Sequence, residues 1–373
     1  MRFLIISHTP HKQEANALFA YAPYVREMNL WLKYVDEVEV VAPKINNPTT
    51  NLEVCYERSD IILNKIPSIA FTSIKKSLVS TIQIPIILIS IFNACKRADH
   101  IHLRCPGNIG LLGCLIQIFF PKKIKTAKYA GNWDSKSKQP LSYRFQKAIL
   151  RNTFFSKNMT VLVYGFWENQ SKNIIPFFTA TFKNKDIITP SERDYDNKLR
   201  FVFIGSLVNG KNPLLAIKIV ESLQKKGNIV QLELYGEGVL KNELQQYIVD
   251  NNLESSVQLK GSQKNGIIQE VLKTAHFLIL PSKSEGWPKA VAEAMFFGTI
   301  PIATKVSSVP YMLDYGNRGI LIEPNIDDAI VSVLKHLKDT DRLKVMSKSA
   351  SIWSQNYTLE TFESEIVKLL KRL

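Results

Sequence analysis

The stretch HFLILPSKSEGWPKAVAEAMFFGTIPIAT, residues 276–304, decides the fold of this chain. An apolar run ends at Pro281, a loop carries Glu285 and Gly286, Pro288 opens a helix, and Gly298 can end that helix before a strand at Pro301. That order is one strand–helix–strand step of a parallel sheet. Glu285 falls in the loop at the helix start and Glu293 in the helix's second turn, where Ala290, Ala292 and Ala294 leave room around it. Carboxylates placed this way can accept hydrogen bonds from sugar hydroxyls, and one of them can take a ribose through both oxygens.

The same rhythm extends in both directions. Short β-rich runs fall at residues 3–7, 38–41, 100–104, 126–129 and 161–164 in the first half, and at 200–204, 231–235, 257–259, 277–280, 301–303 and 320–322 in the second. Helical patterns separate them, so the chain reads as an α/β protein with two Rossmann-like sets. A polar stretch, residues 185–197, looks like the linker between them. The expected division is 1–190, 191–355, and a final helical segment, 356–373.

Two loops of the second set could approach a phosphate. Gly205-Ser206 opens the first, which reaches Lys211 just before Pro213 starts a helix. Its backbone N–H groups, the positive end of that helix and the Lys211 charge suit an anion; a surface lysine in an ordinary turn is the alternative. Tyr235-Gly236-Glu237-Gly238 is the second. It lacks the third glycine and the acidic residue of a dinucleotide fingerprint, which disfavours an NAD-dependent enzyme.

Composition bounds the rest. With 373 residues, 45% hydrophobic and 22% charged, the chain is an ordinary globular one, neither disordered nor a disulfide scaffold. Cys55, Cys95, Cys105 and Cys114 form no C-x-x-C pair and have no His at zinc-ligand spacing, as expected of reduced thiols in a cytoplasm. The opening MRFLIISH is too short in apolar length for an export signal and reads as a buried strand. Net charge is +15, and it is localised: residues 65–157 hold 16 basic residues against Asp99 and Asp134. From residue 191 to the end the count is 23 basic and 21 acidic. A one-sided positive field attracts nucleic acid, anionic membrane or phosphorylated substrates, and no nucleic-acid motif accompanies it. Within that region residues 77–95 carry no charge, but Pro85 and several polar side chains interrupt the run. The expectation is a buried or membrane-facing amphipathic helix rather than a spanning one.

Ser284-Glu285-Gly286-Trp287-Pro288 through Glu293-Ala294-Met295 resembles the E-x7-E segment of family 4 retaining glycosyltransferases of the GT-B fold. The likeness covers residues 199–324, including the 205–211 loop, the 235–238 turn and Leu259-Lys260-Gly261. It implies two Rossmann-like domains facing a cleft, with the C-terminal helix returning to the N-terminal domain. By the resemblance the second domain binds a UDP- or GDP-sugar through Gly205, Ser206, Lys211, Gly236, Gly238, Glu285, Gly286, Trp287 and Glu293. Glu293 would hold the ribose, Glu285 with the backbone at Gly286 and Trp287 the transferred sugar, and Lys211 the diphosphate. The reaction class implied is retaining hexosyl transfer to a hydroxyl of a glycan or lipid-linked glycan. Three departures stand out. Ser206 replaces an arginine, Thr9-Pro10-His11-Lys12 replaces a glycine pair, and Gly131-Asn132-Trp133-Asp134 stands where many members have a histidine.

Asn132 joins Glu285 and Lys211 in the catalytic set as a hydrogen-bonding group, since an amide cannot act as a base. His102, Trp133 and Asp134 are the acceptor candidates, each with a purely structural alternative. Asp194-Tyr195-Asp196 and Asp339-Thr340-Asp341 spell D-x-D, but neither ends a strand beside the donor loops, so no metal and no cofactor are expected. A non-catalytic sugar-binding or partner subunit and a sugar-nucleotide epimerase remain as alternatives. The basic first half points to an anionic membrane surface, peripheral on the cytoplasmic face, and to no nucleic-acid partner.

Overall fold

A computed structural model describes residues 1–15, 17–50 and 52–371. Two units emerge: Met1–Phe177 joined by the residues from Glu363 onward, and Phe178–Phe362.

The second unit is built on six parallel strands in the order Val257–Gly261, Val230–Tyr235, Leu199–Ile204, Phe277–Leu280, Ile300–Thr304, Ile320–Ile322. The inner strand Phe277–Leu280 is apolar throughout, with Phe277, Leu278, Ile279 and Leu280 all buried, as a strand covered on both faces requires. The chain runs outward from Leu199–Ile204 to one edge, then returns to lay Phe277–Leu280 on its other side. The loops that follow Ile204 and Leu280 therefore leave the sheet next to each other, where the strand order reverses and open α/β sheets bind ligands.

The first unit has seven parallel strands in the order Ile174–Phe177, Met159–Tyr164, Ile124–Tyr129, His100–Cys105, Arg2–Ile6, Glu37–Pro43, Ile62–Ile66. Its reversal lies between Arg2–Ile6 and His100–Cys105. A small antiparallel sheet of Lys12–Glu14, Ala17–Tyr21 and Glu53–Cys55 is added, two of its strands only three residues long. Strands so short show no readable alternation.

Residues 77–95 lie inside a 24-residue helix, Ile74–Arg97, whose N-terminus is capped by the Ser73 hydroxyl accepting from the Lys76 N–H. Ile87, Ile91, Ala94 and Cys95 join the sheet's core with Leu4, Ile6, Ile101 and Leu103. The last helix is Leu359–Lys371; its Glu363 carboxylate accepts from Lys33 Nζ at 3.0 Å and from the Tyr34 hydroxyl at 2.8 Å.

The boundary at Phe177/Phe178 precedes the polar stretch 185–197 where composition places it. The stretch packs onto the second unit instead. Phe182 meets the rings of Phe296 and Phe297 at 4.6 and 5.0 Å, and the buried Arg193 guanidinium donates to the carbonyls of Ala275, Leu272 and Phe297. A polar segment buries cheaply when its charge finds that many carbonyl oxygens.

Candidate active site

Lys211 and Glu285 sit on the two loops that leave the second sheet at its strand-order reversal. Their side chains meet there, Nζ to Oε1 at 2.5 Å, with Glu285 almost fully buried and Lys211 about one-third exposed, at 8% and 31%.

Each loop is held locally. Leu207 N–H donates to the Glu237 carbonyl and Gly205 N–H to that of Tyr235, which seats the first loop on the Tyr235–Gly238 turn. A Cβ at Gly236 would stand 1.9 Å from the Gly205 carbonyl oxygen, and one at Gly238 would stand 2.3 Å from that of Leu207. Only glycine permits this approach, and Gly236 also has φ of +152°. These two glycines thus face the first loop's own backbone and act as its support, rather than as the direct nucleotide contacts expected of them. At Gly205 a Cβ would meet only ordinary contacts, the nearest at 3.7 Å. Asn212, in the left-handed region at φ 53°, turns the chain into the helix Pro213–Lys225, and Lys283 N–H donates to the Gly210 carbonyl, tying the two loops together.

Ser307 and Ser308 fix the second loop. Ser307 Oγ accepts from the Glu285 N–H at 3.1 Å and Ser308 Oγ donates to the Gly286 carbonyl at 2.6 Å. The Trp287 ring turns into an aromatic cluster, 6.0 Å from Trp353 and 5.7 Å from Tyr357. Its side chain is structural, so only its backbone is available to a ligand. Gly298, at φ 74°, ends the helix Lys289–Phe296. Within that helix Glu293 accepts from the Thr181 hydroxyl at 2.8 Å. Burial pushes the Glu293 carboxyl above the usual range, opposed by the Thr181 hydrogen bond and the Lys289 charge. Thr181, Ser307 and Ser308 escape sequence reasoning because isolated hydroxyl residues carry no spacing signal.

The first-unit candidates fare differently. His102 is fully buried: its Nδ1 and the Nε2 of His100 both lie 2.8 Å from Thr126 Oγ1, and burial pushes both imidazoles down, His100 to about 4. It is a neutral core residue and is withdrawn from the acceptor set. Trp133 is likewise buried, edge-on to Tyr129 at 4.9 Å with its Nε1 donating to Gln170, so it offers no platform to a sugar. Asn132 Oδ1 accepts from the Asp134 N–H, and Asp134 Oδ1 from the Lys136 N–H, a pair of turns that shapes this loop. Two buried charges lie at the carboxyl end of the first sheet. Buried Arg104 pairs with Glu27, and Lys128, its register partner on the next strand, lies over the Tyr164 and Phe177 rings at 4.9 and 4.5 Å.

Both D-x-D triplets have local work. Asp194 accepts from the Asp196 N–H and the Asn197 amide, and Asp339 caps the helix Thr340–Ser354 by accepting from the Arg342 N–H. Among the described residues no group of three His, Cys, Asp or Glu side chains converges on a point a metal ion could occupy.

Comparison with known proteins follows the same lines. The family described as "Glycosyl transferases group 1" matches residues 184–353. An Escherichia coli protein named UDP-Gal:alpha-D-GlcNAc-diphosphoundecaprenol alpha-1,3-galactosyltransferase is 30% identical over 156 residues, 41% of this chain and 40% of that protein. The chain spans about half the length of curated relatives it matches, 56% and 50% of two of them. Among solved structures, the lipopolysaccharide outer core galactosyltransferase WaaB in its apo form superposes with a TM-score of 0.70 over all of both chains. Anabaena Alr3699/HepE in complex with UDP gives 0.68 over all of this chain and 99% of that one. Both are 15% identical to this chain and establish the fold, GT-B with two Rossmann-like units. The segment that carries Lys211, Glu285 and Glu293 therefore lies within the match to the glycosyl transferases group 1 family.

Proposed function

We propose that the chain is a retaining, metal-independent glycosyltransferase that moves a hexose from a UDP- or GDP-sugar to a hydroxyl of a glycan or lipid-linked glycan. The Lys211–Glu285 pair at the strand-order reversal carries this reading: a cation for a leaving diphosphate stands beside a carboxylate for sugar hydroxyls. Gly205 supports it, because nothing inside the protein demands a glycine there and a ligand's phosphate gains the space.

In this reading the acceptor oxygen bonds to the anomeric carbon as the bond from that carbon to the diphosphate oxygen breaks. The acceptor proton passes to the departing phosphate oxygen, on the same face of the sugar. Lys211, the Pro213–Lys225 helix N-terminus and loop amides stabilise the negative charge that develops, which needs no cation cofactor. Glu293 holds the ribose, Glu285 and the backbone at Gly286 and Trp287 hold the sugar, and Asn132 is the first unit's hydrogen-bonding candidate for the catalytic set. Asp134 remains the acceptor-side candidate. Alr3699/HepE was solved with UDP and the E. coli relative is named for a UDP-galactose donor and a diphosphoundecaprenol acceptor, which favours UDP and a lipid diphosphate. The basic first half suits work on the cytoplasmic surface of an anionic membrane.

The test is release of nucleoside diphosphate from a panel of nucleotide sugars, with and without acceptor glycans, in EDTA. Turnover in EDTA with the anomeric configuration of the donor retained in the product is expected. Donor binding without turnover would mean a non-catalytic subunit, and loss of activity restored by a divalent ion would overturn metal independence.

A further inference from the structure

The helix Ile74–Arg97 is apolar on two opposite sides, and the sheet uses only one. At 100° per residue, Ser80, Ile84, Ile87, Ile91 and Ala94 form the stripe that faces the core. Ile74, Leu78, Ile82, Ile86 and Ile89 form another about half a turn away, exposed at 84, 63, 74, 58 and 62%. Phe92 extends it to Phe119, 6.4 Å between ring centroids and 69% exposed. Single exposed apolar residues are ordinary, but an unbroken row of this length marks an interaction surface.

We propose that this stripe docks the protein on an anionic lipid bilayer, with the helix lying in the plane of the headgroups. The proposal deepens the membrane part of the function read above and rests on it. Charge selects the occupant. The helix has no acidic residue, and the same angular count puts Lys75 and Lys96 on the exposed stripe's own side, one at each end. Lys76, Arg97 and Lys122 are exposed nearby. Lysines in those positions can lay their stems along the apolar row while the ammonium groups reach phosphates. A second copy of the chain is disfavoured as the occupant, since it would bring the same excess of positive charge to the contact.

The hydroxyls on the helix's first turns are already satisfied, Ser77 by the Ser73 carbonyl at 2.9 Å and Thr81 by that of Ser77 at 2.8 Å, so burial in the interface orphans neither. Length and composition would allow this helix to cross a bilayer. Its inner stripe forbids that geometry, because Ile87, Ile91, Ala94 and Cys95 would have to leave the core they share with Leu4 and Leu103.

The full chain should co-sediment with vesicles of phosphatidylcholine containing phosphatidylglycerol, less so as salt is raised, and only weakly with phosphatidylcholine alone. Ile82→Asp/Ile86→Asp should lower the partition by at least about tenfold, as apolar contact area sets interfacial binding. Val345→Asp/Ile352→Asp, at exposed apolar positions of the second unit, should leave it unchanged. Ile82→Trp, an exposed substitution that spares the core, should shift its emission to the blue on adding those vesicles. The proposal is overturned if the wild type binds no vesicle or if Ile82→Asp/Ile86→Asp binds as the wild type does. A wild-type dimer that this double variant converts to a monomer overturns it too, assigning the stripe to a second copy. Nucleoside diphosphate release measured without vesicles reports on the catalytic reading separately: it should be equal in the wild type and in Ile82→Asp/Ile86→Asp.

Discussion

Lys211 Nζ and Glu285 Oε1 lie 2.5 Å apart across 74 residues of sequence, joining the two loops at the second unit's strand-order reversal. Each group neutralises the other while no ligand is present, and Glu285, with only 8% of its side chain exposed, depends on the pair more than Lys211 does. A diphosphate arriving at this point competes with the carboxylate for the ammonium. The pair therefore ties stability and function together.

Lys211→Ala should lower the melting temperature, because it leaves a nearly buried carboxylate without its cation, a loss on the order of 1–3 kcal/mol. Lys211→Ala/Glu285→Ala should melt above Lys211→Ala, since the stranded charge is gone. Turnover should fall by roughly 10²–10³-fold in Lys211→Ala, the usual effect of removing one group that stabilises developing negative charge. Thermal melts of the single and double variants, with initial rates on the same samples, check both parts. A double variant no more stable than Lys211→Ala would show that the pair carries no such coupling.

Glu293 reverses the usual link between a carboxylate and stability. Its folded pKa is raised by burial, so the folded protein holds that proton more tightly than the unfolded chain, and stability is lost as pH rises through the raised value. At neutral pH Glu293→Gln should therefore melt higher than the wild type, and a gain of about 1 kcal/mol would read as ~2–4 °C for a unit of this size. The difference should shrink below the ordinary glutamate range, where both states of the wild type are protonated. Donor binding should move the other way: Glu293→Ala removes charge-assisted hydrogen bonds worth about 1.5–3 kcal/mol each, which calorimetry with a nucleoside diphosphate would read as at least a tenfold loss.

The strands that the sequence reveals are those with long apolar runs closed by glycine or proline, and each lies where it is expected. Ile62–Ile66 and Ile174–Phe177, both half-exposed sheet edges, were missed: ILNKI shows neither a continuous apolar run nor a clean alternation, and Pro176 interrupts IIPF. Lys211 and Glu285 were legible as individual residues, through the loop chemistry around them, but their meeting was not, because a tertiary contact leaves no trace in spacing. Burial is the feature that sequence hid most. His102 and Trp133 look like strand-end and loop residues available to a substrate, yet His100–Cys105 is a central strand and the 131–134 loop folds under the Gln170 amide.

Gly236 and Gly238 should be among the least replaceable residues of the second unit. A methyl group at Gly236 would collide with the Gly205 carbonyl oxygen at 1.9 Å, and backbone on both sides cannot move aside as a flexible side chain would. Gly236→Ala should lower stability by roughly 1–3 kcal/mol and weaken nucleotide binding with it, since the displaced element is the loop that ends in Lys211. Gly210→Ala, on the same loop with nothing within 4 Å of the added carbon, should melt close to the wild type. Equal melting temperatures for Gly236→Ala and Gly210→Ala would rule out the supporting role.

Lys125 tests how much of the first unit's positive charge reaches the surface. It lies on the strand Ile124–Tyr129, 1% exposed, with its ammonium donating to the carbonyls of Gln117 and Phe120 at 3.3 and 3.1 Å. Burial pushes its pKa down from 10.5 to about 8. A lysine whose folded pKa is lowered releases its proton more readily in the folded state, so the unfolded chain binds more protons between these values and stability rises with pH across that window. The wild type should therefore gain stability relative to Lys125→Met between about pH 8 and pH 10.5, and denaturant melts at several pH values would show it as a converging or reversing difference. A difference that stays flat across the window would place the ammonium in contact with water. Lys125→Met should also leave vesicle binding unchanged, whereas Lys75→Glu/Lys96→Glu should weaken it, because only charges that reach the surface draw the protein toward anionic headgroups.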